Sequence, residues 1–257
     1  MRKRLVSVFI LGILFCAPAF AEERLVYKSG RTQNVLIELY TSDANPDCNA
    51  ALKWMSTLKS KDPKTVLWKQ LVPMAFHVNY WDVPGYKDMF AKPAFNDFLL
   101  RYRKKWNSRY AFAPTLVVNG TEWGGWSRGQ EIPGALPREV GILKADGSKR
   151  EGHFLGQFYP AKAVNAENLM LHGVLLGFDL KSKPSEGDNR GQALTHDFIA
   201  IHYQEKLLKP SFGVLTTDME LAPTKGIRTR NYAVVFWITQ AGDIIPIQST
   251  GGYLPSL

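Results

Sequence analysis

The sequence predicts an α/β first half followed by a β-rich second half, and two patterns carry that prediction. In the first half, short apolar runs alternate with segments whose apolar residues recur at helical spacing. From residue 151 onward the patterns are strand-like and separated by turn residues, which is typical of an antiparallel sheet, here expected as a sandwich. We therefore expect two domains, 25–146 and 150–257, with the polar segment 144–149 as the linker.

The predicted elements of the first half alternate between strands and helices. Three apolar runs predict strands buried on both faces, because such strands are almost continuously apolar; they are 35–40, 71–78 and 115–118. Apolar residues at helical spacing predict helices over 48–58 and 93–106. This order favours a mixed sheet covered by helices.

The predicted elements of the second half are five strands. Clusters of turn residues separate them, including 184–189 and 240–243. The strand-like segments are 152–158, 169–180, 195–203, 214–221 and 232–247.

The first 21 residues predict a secretion signal. Arg2, Lys3 and Arg4 precede an apolar run over 5–15, and Ala19-Phe20-Ala21 is a small-x-small cleavage site. The apolar run is too short to span a bilayer as a helix. We therefore expect a secreted or periplasmic protein with no membrane span after the signal is removed.

Charge and cysteine content narrow the classes of function. The chain has 32 Lys+Arg against 23 Asp+Glu, a net charge of +9 that is spread along the sequence without a nucleic-acid-binding motif. Removal of the signal would remove Cys16 and leave Cys48 without an internal disulfide partner. No phosphate loop, serine-nucleophile elbow or dinucleotide-binding glycine motif is present. We expect no nucleic-acid partner and no cofactor.

Several segments together carry a family resemblance. The chain resembles the secreted bacterial family called domain of unknown function 1223, and the resemblance implies a thioredoxin-like fold for the first half. Such proteins place a Cys-x-x-Cys motif after the Thr-Ser step, whereas this chain has Asn45-Pro46-Asp47-Cys48 and keeps only the second cysteine. The segments that carry the resemblance are 38–42, 76–82, 113–120, 187–196 and 248–252.

The leading hypothesis from this departure is a non-catalytic binding or accessory module of the cell envelope. Asn45 is a preferred residue for a helix N-cap, so we expect it to cap the helix that begins near Cys48. The resemblance implies that Pro114 has a cis peptide bond and leaves the backbone of Ala113 free. With Trp81 at the rim, this groove would bind an extended peptide or an envelope protein through backbone hydrogen bonds.

Two alternatives stay open at the level of sequence. In the first, Cys48 is the thiol of a monothiol thiol–disulfide oxidoreductase that exchanges with a small thiol, with His77 and Asp82 as candidate acid–base residues. Alternatively, Cys48 and His77 would bind a soft metal such as copper. Because these residues lack a tight metal-ligand spacing, we predict no metal site.

Overall fold

The computed structural model describes residues 24–148 and 152–255, so the predicted secretion signal lies outside the described residues. Within them, most of the regular structure is β-strand. The helices are α1 (Cys48–Thr57) and α2 (Pro93–Lys105), with short 3-10 turns at Leu58–Ser60 and Gly125–Arg128. The strands are β1 (Arg24–Lys28), β2 (Val35–Thr41), β3 (Leu71–His77), β4 (Thr115–Val118), β5 (Thr121–Glu122), β6 (Gly141–Ser148), β7 (His153–Pro160), β8 (Leu169–Gly177), β9 (Leu180–Ser182), β10 (Leu194–His196), β11 (Ile199–Leu207), β12 (Lys209–Ser211), β13 (Val214–Glu220), β14 (Tyr232–Gln240) and β15 (Pro246–Tyr253).

The strands form three sheets. The largest has eight strands in the order β15-β14-β8-β11-β3-β2-β4-β5. A five-stranded sheet has the order β1-β6-β7-β13-β12, and β9 pairs with β10 in a separate hairpin. Phe154 of β7 packs on Phe236 of β14, with ring centroids 5.2 Å apart, so the two larger sheets share one core.

The expectation of an α/β thioredoxin-like first half is wrong. The described residues form a mainly β protein, with only two α-helices against three sheets. Periodicity located β2, β3, β4 and both helices, but it carries no information about pairing partners. β11 pairs with β3, so the large sheet takes strands from both halves of the sequence, and β1 and β6 of the first half join β7 and β13 in the second sheet.

The segment predicted as a linker forms part of a strand in the structure. Its described part, 144–148, is the end of β6 and pairs with both β1 and β7. The sequence there, Lys-Ala-Asp-Gly-Ser, is polar and suggests a loop, but its alternate residues face the core and are small. Ala145 is fully buried in this way.

The two helices cover the large sheet through one apolar face each. In α1, Cys48, Ala51, Leu52 and Met55 are buried at helical spacing. α2 begins with Pro93, whose fixed φ suits the first turn, and ends with three basic residues that complement the helix dipole. Phe95 of α2 packs on Phe76 of β3, with ring centroids 4.8 Å apart, so α2 lies beside the carboxyl end of β3.

Candidate metal centre

Three buried polar side chains meet where β2 and β3 end. Asp43 follows β2, His77 is the last residue of β3 and His196 is the last residue of β10. β2 and β3 are parallel, and Thr41 lies opposite His77, so both strands end at the same level. Carboxyl ends of parallel strands are a usual place for polar sites. All three side chains have no solvent exposure.

The three side chains are close enough to share one ion. One potential ligand atom from each lies within 4.8 Å of the other two. His196 Nε2 is 3.2 Å from Asp43 Oδ1, and His77 Nδ1 is 3.8 Å from the same oxygen. The two imidazole rings are nearly perpendicular, at 87°, and Phe90 lies against both of them.

Each of the three side chains also contacts a further polar group. His77 Nδ1 is 2.7 Å from Asp88 Oδ2, and His196 Nε2 is 2.8 Å from Ser182 Oγ. The Tyr86 hydroxyl donates to Asp43 Oδ2 at 3.1 Å. These contacts fix the orientation of both rings and of the carboxylate.

The remaining atom of each side chain has no hydrogen-bond partner among the described residues. These atoms are Asp43 Oδ1, His77 Nε2 and His196 Nδ1, and all three are buried. Buried polar atoms in folded proteins are nearly always paired, so three such atoms in one cluster call for an explanation. An ion or ordered waters would satisfy such atoms.

The charges of the cluster also favour a cation. Burial lowers the pKa of His77, but Asp88 and then Asp43 outweigh that effect and leave the pKa of His77 above its usual value. Burial and the neighbouring His77 lower the pKa of His196 to about 4, so His196 is neutral near pH 7. Within the described part of the chain, Asp43 and Asp88 make ion pairs with these imidazoles alone. Two buried carboxyl groups therefore lie beside one imidazole whose pKa is raised.

Two imidazoles and one carboxylate form a donor set for a first-row transition metal. Imidazole nitrogen and carboxylate oxygen both bind zinc at about 2.0–2.2 Å. Ligand atoms around such an ion lie roughly 3.4 Å apart in a tetrahedral arrangement. The ligand atoms here lie within 4.8 Å of one another, so the widest separation would shorten on binding.

Cys48 lies outside this cluster of ligands. It is the first residue of α1 and is fully buried, and its Sγ accepts a hydrogen bond from the backbone N–H of Ser42 at 3.3 Å. Burial raises the pKa of the Cys48 thiol to about 11. The thiol is therefore protonated and shielded near neutral pH.

Asn45 contacts the backbone of the predicted peptide groove. The Ala113–Pro114 bond is cis, as the resemblance implied. The Asn45 side chain is buried and its Nδ2 donates to the Ala113 carbonyl at 2.7 Å. Asn45 Oδ1 accepts from the Asp47 N–H, so Asn45 forms a turn before the helix, whose N-cap is Asp47. The carbonyl expected to bind a peptide already has a partner.

The other predicted site residues lie in the loop after β3. Trp81 is partly exposed at 37% of its surface. Asp82 Oδ1 accepts from the backbone N–H of Asp88 at 3.1 Å, so Asp82 holds the loop that carries the partner of His77. Sequence reasoning identified His77 but missed Asp43, Asp88 and His196 as members of one site. Asp43 could have been found, since it follows a strand that pairs with the strand ending in His77.

These observations define a mainly β protein with a buried histidine–aspartate cluster. The chain belongs to the family described as protein of unknown function (DUF1223), whose model matches residues 36–238. This match confirms the family resemblance of the sequence. A search of the curated proteins finds no match.

Two solved structures share the fold at low sequence identity. The crystal structure of protein AGR_C_4864 from Agrobacterium tumefaciens has a TM-score of 0.52 and 15% identity, and the match covers 88% of this chain and 95% of that chain. HBP35 of Porphyromonas gingivalis has a TM-score of 0.55 and 14% identity, with 87% and 76% covered. At these identities the likeness concerns the fold alone. None of the helices in the described part of the chain has the length and apolar character needed to cross a membrane.

Proposed function

We propose that this chain is a metal-binding protein that holds one divalent transition-metal ion between Asp43, His77 and His196. The observation that carries the proposal is the cluster itself: Asp43, His77 and His196 are fully buried, and one potential ligand atom of each lies within 4.8 Å of the other two. A divalent cation would supply positive charge beside the buried carboxyl groups.

The surroundings of the three residues support an ion over a simple packing cluster. Metal-ligating histidines usually donate their second ring N–H to a carboxylate or another oxygen. Here Asp88 stands behind His77 and Ser182 stands behind His196. The second nitrogen of each ring, His77 Nε2 and His196 Nδ1, has no hydrogen-bond partner among the described residues.

The donor set favours zinc or a similar ion over cuprous copper. Soft cuprous ions prefer thiolate or thioether ligands, and the Cys48 thiol is not a member of the cluster. The three candidate ligands are fully buried, and three protein ligands leave the fourth position of a tetrahedral zinc ion for a water. The proposed ion therefore replaces the sequence-based alternative of copper held by Cys48 and His77.

Zinc binding to the metal-free full-length chain tests the proposal. We expect isothermal titration calorimetry to show one zinc ion per chain, and His196→Ala to abolish that binding. His153→Ala is the matched control, because His153 is exposed on β7. Absence of zinc binding to the wild-type chain, or equal binding by His196→Ala, would overturn the proposal.

The two hypotheses built on the cysteine motif stay predictions with their own test. A peptide-binding envelope module would use the backbone of Ala113, whose carbonyl already accepts one hydrogen bond from Asn45. A monothiol oxidoreductase needs a thiolate, whereas a pKa of about 11 leaves roughly 0.1% thiolate at pH 8. We expect iodoacetamide to alkylate Cys48 only after unfolding. Rapid alkylation of the folded protein would favour the oxidoreductase.

A further inference from the structure

A surface cavity lies beside the candidate metal centre. It has a volume of about 340 Å³ and is lined by the loop after β3, by β9 and by the segment that follows β13. Phe90 and Leu180 line the cavity and are almost fully buried, with 1% and 4% of their surface exposed. Met89, which also lines it, is half exposed. The cavity thus extends from solvent to a layer of buried apolar side chains.

This apolar layer separates the cavity from the two imidazoles of the cluster. The ring centroid of Phe90 lies 5.2 Å from that of His77 and 5.4 Å from that of His196. Leu180 lies directly opposite His196 in the pairing of β9 with β10. One layer of side chains therefore stands between the cavity and the two candidate histidine ligands.

The Phe90 ring can move away from the cluster at a lower cost than the polar neighbours can. Asp88, Ser182 and Tyr86 each make a polar contact with one member of the cluster. Moving any of them would leave buried polar atoms unpaired. Phe90 contacts the two imidazoles through its ring, and its backbone N–H is held by Asp88 Oδ1. Rotation of the Phe90 side chain into the cavity therefore breaks no hydrogen bond and leaves the backbone in place.

We propose that the ion of the metal centre enters and leaves through this cavity, and that the Phe90 side chain is the gate that closes the route. The inference rests on the proposed function, because the route serves the ion bound by Asp43, His77 and His196. With the ring in place, the centre is shielded from solvent. A brief local opening of the ring admits a hydrated divalent cation to the ligands.

The charges that line the cavity make this route slow for a cation. Lys181 and Arg228 are exposed there, and neither forms a salt bridge with a residue that the structure describes. The one acidic residue in the lining, Asp179, is paired with Lys59 at 3.3 Å. Positive charge at the entrance of a site repels an approaching cation and lowers its association rate. Uptake of the ion should therefore depend on these two basic residues.

Stopped-flow mixing of zinc with the metal-free full-length chain tests the gate. We expect Phe90→Leu to raise the association and the dissociation rate constants by a similar factor, at least about threefold, because a smaller side chain lowers the barrier in both directions. The zinc Kd should stay close to that of the wild type, since the three ligands are unchanged. A role in packing alone would change the dissociation rate constant and leave association as it is. Phe158→Leu makes the same change at a fully buried residue of β7 and is the matched control.

A second variant tests the location of the route without changing a buried residue. Lys181→Glu together with Arg228→Glu replaces two exposed basic residues, so the fold should be kept. We expect this variant to bind zinc at least about threefold faster at low salt, and at the wild-type rate at high salt, because salt screens the charges. Lys206→Glu together with Lys209→Glu makes the same change of charge at exposed residues around the far end of β11 and is the control.

The outcomes separate the route from the metal centre itself. If the wild type binds zinc but Phe90→Leu, or the charge variant at low salt, has an unchanged association rate constant, the route is wrong and the metal centre stands. Equal acceleration by the control variants would also overturn the route, since the effect would then not belong to this cavity. Absence of zinc binding by the wild type would overturn the proposed function, and the route with it.

Discussion

Asp88 does not reach the free side of the His77 ring, yet it controls what that ring can bind. Its Oδ2 contacts His77 Nδ1, and its position is fixed by hydrogen bonds from the backbone N–H groups of Asp43 and Phe90. A proton on Nδ1 leaves Nε2 with a free electron pair for an ion. The carboxylate also makes that nitrogen more basic.

Replacing Asp88 by asparagine should therefore weaken zinc binding without removing a ligand. We expect Asp88→Asn to lower zinc affinity roughly 10–100-fold, because the amide can still accept the hydrogen bond but lacks the charge. Titration calorimetry measures the change. Asp97→Asn is the control, since Asp97 is exposed on α2. An unchanged affinity in Asp88→Asn would contradict this role of Asp88.

Glu38 is a buried carboxyl group that gives the protein a distinct pH dependence. It accepts hydrogen bonds from the hydroxyls of Tyr40 and Tyr102, at 2.7 and 2.6 Å. Burial raises its pKa from 4.5 to about 7, and the two hydrogen bonds only partly oppose that effect. The folded protein thus keeps a proton that the unfolded chain releases above pH 4.5.

The contribution of Glu38 to stability is therefore fully present below pH 4.5 and is lost as the pH rises to about 7. We expect this loss to be on the order of 3 kcal/mol in the free energy of unfolding. Urea unfolding at pH 5 and pH 8 measures it, with Glu38→Gln as the comparison. The difference between variant and wild type should grow in favour of the variant at pH 8. A pH-independent difference would contradict the raised pKa.

Residue patterns could predict part of the site and not the rest. His77 was found because it ends an apolar strand, and Asp82 because it follows closely. His196 lies 119 positions after His77, as the two residue numbers show, and only tertiary structure brings the rings together. Cys48 was a candidate thiol because it is the remaining cysteine of the Cys-x-x-Cys position. Its burial depends on packing that the sequence does not show.

At the scale of elements, the loop between β9 and β10 closes the site. Asn189 in this loop is fully buried, and its Nδ2 donates to the Asp43 carbonyl at 2.8 Å. Its Oδ1 accepts from Asn49 of α1 at 3.0 Å. The β9–β10 hairpin also supplies Ser182 and His196. Asn189 therefore links the hairpin that carries His196 to the loop that carries Asp43.

Removal of the Asn189 hydrogen bonds should change the rate of metal exchange. We expect Asn189→Ala to lose about 1–3 kcal/mol of stability, because buried partners are left unpaired. We also expect faster removal of zinc by a chelator, since the loop opens more often. Stopped-flow chelation measures the rate, and Arg190→Ala, an exposed neighbour, is the control. Identical release rates for Asn189→Ala and wild type would show that the loop does not limit exchange.

Element prediction succeeded where a local pattern decides the outcome. The apolar runs identified β2, β3 and β4, and helical spacing identified both helices. It failed where contacts between distant parts of the chain decide the structure. The polar sequence of β6 predicted a linker, and the pairing of β11 with β3 was not expected. The family resemblance was correct, but the fold attached to it was not.

At the scale of the whole molecule, the proposed ion joins distant parts of the chain. Asp43 and His77 come from the first half, and His196 comes from the second, as their positions in the sequence show. An ion bound only in the folded state stabilises it by about 2.7 kcal/mol at a free concentration of 100 times Kd. The centre would thus support the large sheet, which also draws strands from both halves.

The most direct test is a crystal structure of the zinc-loaded protein, with diffraction data collected on both sides of the zinc absorption edge. We expect one anomalous peak at about 2.0–2.2 Å from one ligand atom each of Asp43, His77 and His196. An ordered water at that point without anomalous signal would contradict the metal centre. It would mean that the three buried atoms are satisfied by solvent alone.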